Sequence, residues 1–169
     1  MELRLNRSSS PTTRFDPFTD CLRYAVDNAH VLLGAPLPDL RDMDHLHFFS
    51  DVLELVHPPL KAILYIPPEA LINPRLLSSR IRRENVVCSR SLVTPNVSPY
   101  IKLFHLSAEN AYGIRENWTH VICVLYRDGA HEVYDDFLND NPFYSESKRL
   151  FSEGSLERSR CHRISIWRE

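Results

Sequence analysis

The sequence predicts an α+β domain, with helices packed on a mostly antiparallel β-sheet. Three observations predict it. Leu22, Ala25, Val26, Ala29 and Leu33 recur at helical spacing in the first third of the chain. The second half carries apolar runs of strand length, two of them joined by the tight-turn pair Asp128-Gly129. Helical patterns also precede strand patterns instead of alternating with them, which argues against a parallel α/β sheet. With 169 residues, 43% hydrophobic and 25% charged, the chain is long and apolar enough for one folded core and too apolar to be disordered.

Each element has its own warrant. Residues 1–14 read as a short strand or flexible N-terminal arm, because Glu2-Leu3-Arg4-Leu5 is followed by a Ser/Thr/Pro stretch that buries little. Residues 15–169 then form the single domain. Thr19 or Asp20 can N-cap the first helix, and Gly34 with Pro36 ends it. A second helix is expected from Asp39 to about Val56, stopped by Pro58-Pro59. Ala62 to Ile66 reads as a buried strand, and Pro68 and Pro74 each open a short helical turn. Strands are expected at Pro99–Leu106, Trp118–Arg127 and Ala130–Tyr134, with a last one at Arg163–Trp167. Asn141-Pro142 opens a short helix that Gly154 ends.

Composition excludes several function classes. A net charge of -2 lacks the basic excess of a polyphosphate binder, so no nucleic-acid partner is expected. No run is long enough to cross a bilayer, and the N-terminus has no signal-type apolar segment, so no membrane is expected either. Cys21, Cys88, Cys123 and Cys161 form no CxxC pair and read as reduced thiols of a cytoplasmic protein. Glycine-rich phosphate loops are absent, and no cofactor is expected. His45 and His47 stand two apart, which on a helix turns them to different sides, so no metal site is expected there. Arg75, Arg80, Arg82 and Arg83 read first as a solvated helix face and second as a surface for an acidic partner.

One constellation carries chemistry. Cys21 stands at the start of the first helix, where the positive end of the helix dipole favours a thiolate. His120 heads the apolar run Val121 to Tyr126, and Asp135 ends the strand that returns through Asp128-Gly129. A hairpin so turned makes His120 and Asp135 cross-strand neighbours. The carboxylate would orient the imidazole, and the imidazole would take the thiol proton. Taken singly, a helical cysteine is usually a small core residue and aspartates beside a turn are usually solvated. It is their conjunction that points to catalysis. Trp118, two residues before His120, is a candidate cleft wall or core residue.

The order of these residues resembles that of papain-like cysteine peptidases. The matching residues are Met1-Glu2-Leu3 with Leu5, Cys21-Leu22 with Ala25, His120-Val121 with Cys123, and Tyr134-Asp135-Asp136 with Phe137. Within that class the chain looks most like the viral leader proteases, with Josephin deubiquitinases and papain-fold deamidases further off. The resemblance implies a papain-like fold, a Cys21 nucleophile, a His120 base, an orienting Asp135, and a protein substrate in the cytoplasm, the host's if the protein is viral or an injected effector. The sequence departs from the pattern before the cysteine. Such peptidases place Asn or Gln there as an oxyanion donor, and here the stretch is Asp16-Pro17-Phe18-Thr19-Asp20. An ionised carboxylate only accepts hydrogen bonds. The hole then relies on the Cys21 N–H and a residue elsewhere, or on a protonated Asp16, or it is defective. Leu22 also replaces the Trp that often follows the cysteine. The expected function is therefore a thiol protease. A protein-glutamine deamidase on the same triad is the alternative, and a non-catalytic protein-binding module the second alternative.

Overall fold

The structure, a computed structural model, describes residues 2–4, 21–39, 50–68, 84–107, 119–134 and 161–169. They form two helices, α1 (Cys21–Leu32) and α2 (Ser50–Leu55), and seven strands. The strands are β1 (Glu2–Arg4), β2 (Leu60–Tyr65), β3 (Val86–Ser89), β4 (Tyr100–Ser107), β5 (Thr119–Arg127), β6 (Ala130–Tyr134) and β7 (Arg163–Arg168). All seven join one sheet in the order β1-β6-β5-β4-β7-β2-β3. The pairings β2–β7, β4–β5, β4–β7 and β5–β6 are antiparallel, whereas β1–β6 and β2–β3 are parallel. The chain is thus α+β with a mostly antiparallel sheet.

The helix α1 ends where Gly34 allows it. Gly34 has φ +67°, its N–H donates to Val31 O at 3.1 Å, and the Ala35 N–H donates to His30 O at 2.9 Å. These two bonds make a Schellman motif, which needs a residue free to adopt the left-handed conformation. The β5–β6 turn also follows its residues. Asp128 and Gly129 both have positive φ, at 54° and 79°, and Arg127 pairs with Ala130 across them. That is the type I′ geometry favoured by two-residue hairpins.

The core lies between the helices and one face of the sheet. Leu22, Ala25, Val26, Ala29 and Leu33 meet the strand rows Val121-Cys123-Leu125, Ile101-Leu103 and Ile164-Ile166 in one cluster. The other rows of the central strands are buried as well, at Ile122, Val124, Phe104 and Val133. Both faces of the sheet are therefore covered, which is why β5 reads as a continuous apolar run and not as an alternating one.

Of the short strand or arm expected at the N-terminus, Glu2–Arg4 are a strand at the sheet edge, with Leu3 opposite Val133; pairing satisfies backbone groups on the outer side of β6. Other expectations are modified. Residue 39 is not helical, and α2 is described from Ser50. Residues 40–49, the two expected turns that follow Pro68 and the expected helix after Asn141 lie outside the described residues. The strand β3 was not expected at all.

Candidate active site

The site begins with the direction of α1. The guanidinium of Arg168, the last residue of β7, donates from Nη1 to Gly34 O at 2.7 Å and to Leu33 O at 3.4 Å. These carbonyls lie at the helix C-terminus, where intrahelical donors run out. Arg168 pairs with Leu60, and its neighbour Trp167 pairs with Tyr100, which in turn opposes Tyr126. The C-terminus of α1 is thus pinned at the end of the sheet where β4 begins and β5 finishes. Because α1 packs chiefly on β5, it runs in the same sense as β5. Its N-terminus, with Cys21 as first residue, points toward the end where β5 begins.

That end carries three histidines. His120 is the second residue of β5 and pairs with Leu106. His105 pairs with Val121, and its N–H donates to His162 O at 3.0 Å. By ladder register, position 105 belongs to the row that faces α1, together with Val121 and Cys123. Position 120 belongs to the other row, with Ile122 and Val124. A contact between Cys21 and His120 would therefore be made around the strand end and not across the sheet face. The β5–β6 ladder is described up to Cys123↔Tyr134. Asp135, one residue further, lies outside the described residues, as do Asp16, Asp20 and Trp118. Cys21 and His120 are thus assigned to the same end of the sheet, and the proposed His120–Asp135 pairing falls beyond the described ladder.

The electrostatics of this end come first from burial and then from neighbouring cationic groups. Burial, reinforced by His162, lowers the His105 pKa to about 4. Burial, reinforced by the charge of Arg90, lowers that of His162. Both rings are therefore neutral at neutral pH. Arg163 lies between two rings, 5.0 Å from the Phe104 centroid and 5.2 Å from that of Tyr65. Sequence reasoning passed over His105, His162 and Arg163. The periodic strand pattern of Arg163 to Trp167 and the apolar run before His105 mark the strands but not the pairing that brings these residues to one end.

The other thiols are poorly suited to attack. Cys123 is fully buried, and burial raises its pKa. Burial also pushes the half-buried Cys88 up to about 11. Cys161 is buried. Among the described residues no three His, Cys, Asp or Glu side chains gather as metal ligands, and no helix is long and apolar enough to cross a membrane. Comparison of the chain with protein-family models, with curated proteins and with solved structures gives no match in any of the three.

Proposed function

We propose that the protein is a cysteine hydrolase of papain-like type, a thiol protease that attacks protein substrates through Cys21, His120 and Asp135. The observation that supports this reading is the direction of α1. A helix that starts with Cys21 and is pinned at its far end by Arg168 points its N-terminus toward the start of β5, where His120 stands.

The chemistry follows from the residue types. The helix dipole and a neighbouring imidazolium favour the Cys21 thiolate. The sulfur adds to a peptide carbonyl, and the backbone N–H of Cys21, a helix-start donor with no intrahelical acceptor, supports the oxyanion. The imidazolium of His120 protonates the leaving amine. It then takes a proton from water as the water attacks the thioester. Asp135 orients the ring through its other nitrogen. His105 is the competing base by position, being in the row that faces α1. Its low pKa argues against it, because a ring that charges only near pH 4 cannot hold the proton of a thiol at neutral pH.

The test is incubation of the whole chain with unfolded protein substrate, read by mass spectrometry. Chain cleavage, lost in Cys21→Ala and His120→Ala and kept in His105→Ala, is the expected result. Ammonia release without cleavage would move the reaction to a glutamine side chain. Loss in His105→Ala but not in His120→Ala would reassign the base.

A further inference from the structure

We propose that β3 is a self-association surface, through which two copies of the chain pair edge to edge about a two-fold axis at Val87. The strand closes the sheet at one side and is hydrogen-bonded to β2 alone among the described strands. Such an edge offers backbone donors and acceptors to another strand. Of the exposed large hydrophobic residues among the described ones, Val87 lies in β3 itself, and Leu92 and Val93 follow in the segment that leaves it. Val87 is 52% exposed within the strand, so a large apolar side chain is left uncovered beside the place where an outer strand would lie.

The register follows from backbone geometry. The carbonyls of Asn85 and Ser89 accept from Ala62 N and Ile66 N, each at 2.9 Å, and so face β2. Strand alternation turns the N–H and C=O groups of Val86 and Cys88 outward. Two antiparallel copies centred on Val87 then exchange hydrogen bonds between Val86 of one and Cys88 of the other, twice by symmetry. Val87 meets Val87 as a close, non-hydrogen-bonded pair. This register satisfies the outward-facing groups without a slip.

Charge selects a second copy over an unrelated strand. Glu84 and Arg90 are both exposed, and each stands three residues from Val87, on opposite sides. Glu84 and Arg90 flank β3 just beyond its two ends, and two-fold pairing sets the Glu84 end of each copy beside the Arg90 end of the other, where two ion pairs would form from one chain's own sequence. The Nη1 of Arg90 already donates to Pro67 O at 3.2 Å and Pro68 O at 3.1 Å. A guanidinium carries five N–H donors, so the new contact adds to these bonds. Closed two-fold symmetry uses one self-complementary patch twice, the commonest way that soluble chains associate.

Sedimentation velocity on the full chain tests this, over loading concentrations of roughly 10 to 500 µM, since association follows mass action. The expected result is a sedimentation coefficient that rises from monomer toward dimer. Val87→Lys, which puts a charge on the axis, should remain monomeric throughout. Glu84→Arg and Arg90→Glu should each weaken association by about tenfold or more, since each turns attraction into repulsion. The double reversal E84R/R90E should restore most of it. Should Arg90→Glu lose its far-UV circular dichroism, Glu84→Arg and Val87→Lys decide, both being at exposed positions. A chain that stays monomeric, a dimer indifferent to Val87→Lys, or a folded double reversal that does not recover would each overturn the proposal.

Discussion

Arg168 caps α1 from the far end of the chain, with its Nη1 2.7 Å from the carbonyl oxygen of Gly34. A contact between residues 134 positions apart ties the C-terminus of the helix that begins with Cys21 to the end of β7. Removing it in Arg168→Ala should cost about 0.5–1.5 kcal/mol, the usual net worth of an intramolecular hydrogen bond, since this one is exposed. Thermal unfolding should shift down by a few degrees for a chain of this length. Activity should fall further than stability, because the helix start is then less firmly aimed at the head of β5. A variant with unchanged melting temperature and turnover would contradict the capping role.

Gly34→Ala attacks the same joint from the other side. The backbone there has φ +67°, and an added Cβ would meet Arg168 Nη1 at 3.3 Å. The expected loss is about 1 kcal/mol from left-handed strain alone. Equilibrium urea denaturation measures it, and a gain in midpoint would refute the strain.

The helix was legible because its stripe of Leu22, Ala25, Val26 and Ala29 and its closing Gly34 agree. The strands β5 and β6 were legible because their apolar runs flank Asp128-Gly129, whose residues tolerate the positive φ the turn needs. The strand β3 was not legible. It is four residues long, and its burial, buried at Val86 and 52% exposed at Val87, is set by an edge position that only the finished sheet defines. The pairing of β7 between β2 and β4 was equally hidden, since strand order over such sequence separations leaves no local trace. Of the candidate site, the sequence identified a cysteine at a helix start and a histidine at a strand head. It could not tell that His105 and His162 share that end, because register decides it.

Acid should weaken the fold through His105. Its folded pKa of about 4 lies below the ordinary value of 6.5, so the unfolded chain binds the proton more readily. The stability contributed is complete above pH 6.5 and is lost as pH falls from there through the folded value. The shift corresponds to about 3 kcal/mol at its acid limit. His105→Gln should flatten the pH dependence of the denaturation midpoint between pH 6.5 and 4. An NMR titration that finds the His105 ring charging near its ordinary value would contradict this.

Arg163 is 2% exposed and lies against the rings of Phe104 and Tyr65. Arg163→Ala removes both ring contacts and leaves space behind, and should cost about 2–4 kcal/mol. Arg163→Lys should recover only part, because a compact ammonium does not lie flat between two rings. A midpoint within about 0.5 kcal/mol of the parent, the range of ordinary surface changes, would show that the rings do not hold the guanidinium.

The catalytic reading turns most directly on the rate at which each thiol reacts with iodoacetamide, followed by peptide mass spectrometry from acid to alkaline pH. Thiolates react and thiols do not. Cys123 and Cys88 should react slowly near neutrality, because burial raises both of their pKa values. Cys21 should react at least about a hundredfold faster than either, with an acid limb well below the ordinary thiol pKa of about 8.5 that moves up in His120→Ala. A Cys21 that reacts no faster than Cys88, with a profile indifferent to His120, would contradict the cysteine-hydrolase reading.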